Sequence, residues 1–216
     1  MGITAILDYD AGNLTSVERA VRHLGSEGRV TRDPQVIRDA ERVIFPGVGA
    51  ARSAMESLRR LGLDEELHRA VRSGRPVLGI CIGCQIIFEG SEEDGGTPCL
   101  GLLPGKVVRF RFQGPGHWKI PHMGWNTVRF SPGHPVLSGG PPPTGGTGAP
   151  ADQFYFVHSY YPVPADPSLV LGDCEYGGCR FAAAVGRENL IAVQFHTEKS
   201  GPPGLRVLEN FLRWRP

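Results

Sequence analysis

Pro76-Val77-Leu78-Gly79-Ile80-Cys81-Ile82-Gly83-Cys84-Gln85-Ile86-Ile87-Phe88-Glu89 is the stretch whose reading decides the fold of this chain. Pro76 to Ile80 is a short, β-favouring apolar run and reads as a strand ending at Cys81, while Gly83 to Glu89 reads as a helix. A buried strand that runs straight into a helix is the unit of a parallel sheet, because parallel neighbours need a crossover between them. The residue at such a junction lies where ligands bind in open α/β sheets, at the carboxyl end of a strand. Cys81 sits there between two glycines, which leave its side chain projecting from a tight turn with room beside it. A helix start adds partial positive charge, favouring thiolate over thiol, and exposes the Ile82 amide as an oxyanion donor.

Upstream, the same alternation repeats. Ile3 to Tyr9 reads as a strand, and Leu14, Val17, Val21 and Leu24 recur at helical spacing. Arg42 to Phe45 is another apolar run, stopped by Pro46-Gly47-Val48-Gly49, with a helix following through Leu58 and another over Asp64 to Arg72. Downstream the character changes to β-rich segments parted by turn residues: Lys106 to Phe112, Trp125 to Phe130, Phe154 to Tyr161, Leu169 to Cys174, Phe181 to Val185 and Leu190 to Phe195. Leu205, Leu208, Phe211 and Leu212 mark a closing amphipathic helix. The expectation is one α/β domain over residues 1–216, with a mostly parallel sheet flanked by helices and an antiparallel β portion in the second half. Gly139 to Pro150 (GGPPPTGGTGAP) has no apolar anchor and is expected to be a flexible surface loop.

Composition narrows the function. With 23 Lys plus Arg against 22 Asp plus Glu, the net charge of +1 gives no electrostatic case for nucleic acid or an anionic membrane. No apolar stretch approaches the ~18 residues of a membrane helix, and Met1-Gly2-Ile3-Thr4-Ala5-Ile6 has no basic start, so a cytosolic protein is expected. Five cysteines are odd in number and too few for a disulfide scaffold, and are expected to be reduced.

A thiolate nucleophile needs a base. Gln194-Phe195-His196-Thr197-Glu198 ends the last expected strand, and in an extended chain residues 196 and 198 project to one side. A carboxylate so placed fixes the imidazole tautomer and stabilises the imidazolium formed during proton transfer. Taken separately, each piece has a bland reading. Cysteines are mostly buried structural residues, and His-x-Glu also describes a solvated turn before Lys199-Ser200-Gly201.

The conjunction is what carries weight. Gly79 to Gln85 resembles the nucleophile motif of class I glutamine amidotransferases, and Gln194 to Ser200 resembles their His-Pro-Glu segment. Further strings are similar, within that family, to the glutaminase subunits of imidazole glycerol phosphate synthase. They are Asp8-Tyr9 with Gly12-Asn13-Leu14, Pro46 to Gly49, Ser91-Glu92-Glu93, Pro121-His122-Met123-Gly124-Trp125-Asn126, Phe156 to Tyr160 and Glu175 to Gly178. The resemblance runs from residue 8 to about residue 200, with Thr197 standing where the family usually has proline.

This resemblance implies the flavodoxin-like fold of that family, a Cys81-His196-Glu198 triad, and an oxyanion hole from the backbone of Val48, Gly49 and Ile82. It implies that Gly47, Gln85, Glu93, Ser159 and Tyr160 bind L-glutamine, with Glu93 on the α-ammonium, although for Gln85 and Tyr160 ordinary structural hydrogen bonding competes. It places Pro121, His122, Met123, Trp125 and Lys199 against the cyclase subunit, HisF, a (β/α)₈ barrel that receives the ammonia in a heterodimer. No metal or organic cofactor is implied. Three rivals stand beside it. Cys81-Ile82-Gly83-Cys84 is a CxxC at a helix start, as a thiol-disulfide oxidoreductase uses. Cys81, Cys84, Cys174 and Cys179 offer a zinc set at the loose end of ligand spacing. A glutaminase serving another nitrogen-transfer pathway is the nearest enzymatic alternative.

Overall fold

A computed structural model describes residues 2–112, 117–139 and 152–216. The first half alternates strand and helix: β1 (Thr4–Leu7), α1 (Leu14–His23), β2 (Gly28–Thr31), α2 (Pro34–Asp39), β3 (Arg42–Gly47), α3 (Ala51–Leu61), α4 (Leu63–Arg72), β4 (Val77–Cys81) and α5 (Ile82–Ile86). After it come β5 (Gly90–Ser91), β6 (Thr97–Pro98), β7 (Gly105–Arg109), β8 (His122–Thr127), β9 (Arg129–Phe130), β10 (Gln153–His158) and β11 (Tyr160–Pro164). The chain closes with β12 (Val170–Tyr176), β13 (Cys179–Arg187), β14 (Leu190–Val193) and α6 (Gly201–Arg213).

The main sheet has eight strands in the order β2-β1-β3-β4-β14-β13-β12-β9. Neighbours from β2 to β14 are parallel, and β13, β12 and β9 continue the sheet antiparallel. Period-two alternation sorts the central side chains into two cores. Ala5, Leu7, Val43, Phe45 and Val77 meet Ile37 of α2, Met55 and Leu58 of α3 and Leu67 of α4, whereas Ile6, Ile44, Leu78 and Ile80 meet Val17 and Val21 of α1 and Val207, Leu208 and Phe211 of α6. Helices on both faces explain why β1, β3 and β4 are near-continuous apolar runs. Arg42 is the exception, buried in β3 with its Nη1 donating to the carbonyls of Phe211 and Trp214 at 3.0 and 3.1 Å, where α6 ends.

The mixed α/β sheet expected from the sequence is present, with three differences in detail. First, β2 and α2 went unread. β2 is an edge strand with one strongly apolar residue, Val30, and α2 is only six residues long, although Asp33 caps it at Gln35 N (2.8 Å) with Pro34 following. Second, the run Trp125 to Phe130 is two strands in different sheets, with β8 on β10 and β9 on β12. Third, Phe154 to Tyr161 breaks at Ser159: β10 pairs with β8, while β11 joins a four-stranded sheet ordered β11-β7-β5-β6. Continuous hydrophobicity does not reveal where a chain changes sheets. The expected loop at 139–150 lies outside the described residues apart from Gly139.

Candidate active site

Cys81 has φ 56° and ψ −104°, a strained geometry for a residue with a side chain. Alternation along β4 would return it to the face of Val77, yet it clusters with Leu78 and Ile80 in the other core, while Cys84 packs in the first. The two cysteines of the CxxC string therefore belong to different layers, and burial pushes the Cys84 thiol well up, with Cys81 adding to the shift. Close packing enforces the turn. A Cβ on Gly83 would lie 2.2 Å from the Phe45 carbonyl oxygen, and one on Gly79 would lie 2.9 Å from the Gly83 oxygen. Both glycines are demanded by contact rather than by torsion.

His196 follows β14 and is anchored by donating its N–H to the Tyr155 carbonyl at 2.9 Å. Thr197–Lys199 then forms a single 3₁₀ turn instead of the extended segment expected, and that turn still brings Glu198 Oε1 to 2.7 Å from His196 Nδ1. Both side chains are buried. Glu198 Oε1 accepts from Nδ1–H, leaving Nε2 on the side of Cys81 without a geometrically complete hydrogen bond. Burial opposes charge on the ring, but the Cys81 sulfur and Glu198 outweigh it and hold the His196 pKa at about 9. Glu198 Oε1 also accepts from Asn13 Nδ2, while Oε2 is buried with no partner. Thr197 is fully buried and its hydroxyl lacks a partner.

Beside Cys81 opens a cavity of about 270 Å³. Val48, Gly49, Ile82, Gln85, Glu93, Ser159 and Tyr160 all line it, together with Pro121, Val157 and His158. Gly47 does not line it but underlies it, since a Cβ there would lie 2.4 Å from the Tyr9 hydroxyl and 2.6 Å from Ile82 Cγ2. Glu93 accepts from the Ala51 N–H at 2.7 Å, and burial raises its pKa despite that bond. Gln85 Nε2 donates to the Tyr160 carbonyl at 2.9 Å and to Gln194 Oε1 at 3.1 Å, so its amide nitrogen is held by structural bonds. The Val48 N–H donates to the Ala11 carbonyl at 2.7 Å, so in this conformation that amide serves the β1–α1 loop.

The residues expected at a partner surface divide. Met123 and Trp125 are 62% and 54% exposed and border a shallow cavity of about 340 Å³ with Trp118, itself 52% exposed. Lys199 is exposed, its Nζ 5.9 Å from the Tyr155 ring centre, and Pro121 is exposed at the cavity rim. His122 departs from that expectation because its side chain is buried. His158 Nδ1 donates to the Tyr160 carbonyl at 2.8 Å, so its Nε2 accepts from His122 Nδ1 at 3.0 Å. Burial drives the two pKa values down to about 3 and about 4, keeping both rings neutral.

Asn13 and His158 had no role in the sequence reading beyond standing inside quoted strings. A left-handed Asn before a helix and a His at the last position of a strand carry no local mark, and only the fold brings them to the site. Among the described residues, no group of three or more His, Cys, Asp and Glu could hold a metal ion, and no helix is long and apolar enough to cross a membrane.

An elbow cysteine at a cavity, with a carboxylate-bound histidine close by on a mixed α/β sheet, is the arrangement of a candidate site for nucleophilic catalysis. The sequence matches the family "Glutamine amidotransferase class-I" over residues 5–214, and the chain belongs to that family. Among solved structures it resembles a glutamine amidotransferase crystal structure (TM-score 0.70, 20% identity, 98% of each chain) and PurLQS from Thermotoga maritima (TM-score 0.70, 18% identity, 99% of each chain). Both likenesses establish the fold. Within the family it groups with the imidazole glycerol phosphate synthase subunits HisH. It is 48% identical to that of Methylococcus capsulatus, over 100% of this chain and 98% of the relative. To that of Desulfovibrio desulfuricans it is 49% identical, over 97% and 94%.

Proposed function

We propose that the chain works as one glutaminase domain in the cytosol, hydrolysing L-glutamine to glutamate and ammonia with Cys81, His196 and Glu198. The thiolate of Cys81 attacks the side-chain amide carbon, forming a C–S bond while the carbonyl electrons move onto oxygen. As the tetrahedral intermediate collapses, the C–N bond breaks and the His196 imidazolium gives its proton to the departing ammonia. Water, deprotonated by the now neutral His196, hydrolyses the thioester and restores the thiolate. Glu198 keeps Nδ1 protonated, so that Nε2 is the nitrogen that exchanges the proton. A His196 pKa of about 9 suits this cycle, because the protonated ring is then available at neutral pH to give its proton to the departing ammonia.

Ile82 and Gly49 amides receive the oxyanion, and Val48 joins them once its bond to Ala11 opens. Glu93, Gln85, Ser159 and Tyr160 bind the amino-acid end of glutamine above Gly47. Ammonia passes to a partner subunit, the cyclase HisF, for synthesis of imidazole glycerol phosphate and aminoimidazole carboxamide ribotide in histidine biosynthesis. Pro121, Met123, Trp125 and Lys199 face that partner. Exposed Met and Trp on one rigid strand suit such a contact, because aromatic and Met side chains are enriched in interfaces.

The observation that carries this reading is the 2.7 Å contact of His196 with Glu198 near an elbow cysteine that lines a cavity. The test is to mix the protein with its candidate cyclase subunit and measure glutamate release with and without the ribonucleotide substrate. Release that depends on Cys81 and rises with the complete mixture supports it, and no glutamine hydrolysis under any of these conditions refutes it.

A further inference from the structure

Asn13 immediately precedes α1, a position where asparagine ordinarily accepts a hydrogen bond from the first-turn N–H groups of its own helix. Here it makes no such cap. Its backbone is left-handed, with φ 62° and ψ 12°, and its side-chain amide instead donates to Glu198 Oε1, across 185 residues of sequence. The carboxylate it meets is in an unusual position. Glu198 is fully buried in its side chain, one oxygen serves both His196 Nδ1 and Asn13 Nδ2, and the other has no partner.

A terminal carboxylate torsion is broad, so one hydrogen bond from a single imidazole fixes the distance but not the plane of the group. A second donor on the same oxygen, coming from a different loop, closes that freedom. It also gives the buried carboxyl group a second donor, where otherwise only the imidazole replaces its lost water. We propose that Asn13 is a positioning residue of the glutaminase reaction, holding the Glu198 carboxylate oriented so that His196 presents Nε2 to the Cys81 sulfur. This rests on the glutaminase reading above. Asn13 touches neither substrate nor sulfur, and acts only through Glu198.

The competing explanation is local. Asparagine tolerates a left-handed backbone better than most residues, and that alone would account for its presence at φ 62°. Glycine separates the two explanations because it accepts this backbone at least as well and has no amide to donate. Two readouts are needed on the full chain: glutamate release with the cyclase partner, and the rate at which iodoacetamide alkylates Cys81 in the isolated protein at neutral pH. For Asn13→Gly the expected result is an unchanged or higher melting temperature, an unchanged KM for glutamine, and slower alkylation. Its kcat should fall roughly 10- to 100-fold, the usual cost of losing an outer hydrogen-bond partner. Asn13→Asp keeps the shape but sets a second carboxylate against Glu198, so its kcat should fall further. Should Asn13→Gly fail to fold, Asn13→Asp reads the same bond. Unchanged kcat and alkylation in the folded variants, or a loss confined to KM or melting temperature, overturns the proposal. If the unmodified protein releases no glutamate, the glutaminase reading fails instead, while alkylation still reports whether Asn13 governs the thiolate.

Discussion

Cys81 and His196 lie at the ends of neighbouring parallel strands, with Ile80 paired to Val193, but the two corners are held by different forces. The β4 corner is a packed one. Gly79, Gly83 and Phe45 interlock so tightly that a single added carbon would collide with backbone. The β14 corner is a bonded one. Tyr155 accepts from the His196 N–H at 2.9 Å, and the Ser200 hydroxyl donates to the His196 carbonyl at 2.5 Å while accepting from the Tyr155 N–H at 3.0 Å. A packed corner fails when something is added, and a bonded corner fails when a donor is taken away. In the proposed mechanism the nucleophile needs one enforced backbone shape and the base a defined proton location, and each corner supplies the kind of order its residue would require.

Substitutions can break this contrast or sharpen it. Cys81→Ser should have the largest effect, removing glutaminase turnover by roughly 10⁴- to 10⁶-fold, as loss of a nucleophile does in hydrolases. The expected denaturation midpoint is close to the parent's, so activity falls without the fold. Glu198→Gln should cost about 10⁴-fold or somewhat less in kcat, through the wrong imidazole tautomer. That variant also carries a pH signature. The folded pKa of His196, about 9, lies above its ordinary 6.5, so its protonated form adds stability that is fully present below 6.5 and lost as pH rises through about 9. Removing the Glu198 charge should lower the upper limit of that window, which urea titrations across the range would detect.

Gly83→Ala tests the packed corner, where a Cβ would sit 2.2 Å from a carbonyl oxygen that cannot swing aside. Overpacking of this kind costs about 1–3 kcal/mol or more, and the elbow should distort, so stability and activity fall together. Ser200→Ala tests the bonded corner. It strips a donor from the His196 carbonyl and an acceptor from the Tyr155 N–H, for about 1–3 kcal/mol by denaturant midpoint. Thr197→Val should have the smallest effect and the opposite sign. It replaces a buried, unpartnered hydroxyl by a methyl of similar size, gaining about 1 kcal/mol with turnover retained. If Thr197→Val instead destabilises, the hydroxyl has a role that the bonded-corner description lacks.

The packed corner was the more legible of the two. Gly79 and Gly83 flanking Cys81 after an apolar run carry their own physical reason, and parallel strands buried on both faces write themselves as apolar stretches. The bonded corner was legible only as a spacing. His196 and Glu198 were found, but through an extended segment, because a three-residue 3₁₀ turn leaves no periodicity to read. Asn13 and Tyr155 were out of reach, since their partners at the site lie 185 and 41 residues away, and Ser200 joins a local bond to His196 with one to Tyr155, 45 residues away, that nothing local marks. The burial of His122 went unread for a related reason. A strand facing outward at Met123 and Trp125 must face inward at the residue between them and the cavity, and His158 was waiting there as its acceptor. Edge strand β2 and short α2 were missed because weak burial leaves a weak pattern.

Glu93 gives the cavity a mechanical character. α3 begins at Ala51 without a capping side chain of its own, and the carboxylate that accepts its first N–H belongs to the cavity-lining Glu93, 42 residues later. The start of α3 is therefore tied to a side chain that lines the hollow, the one proposed above to meet the ligand's ammonium. A guest that pulls on this carboxylate pulls on the first turn of a helix whose other contacts reach the hydrophobic interior at Met55 and Leu58. Occupancy should thus be felt as a change in fraying at Ala51, and amide hydrogen exchange there would act as a gauge of whether the hollow is filled.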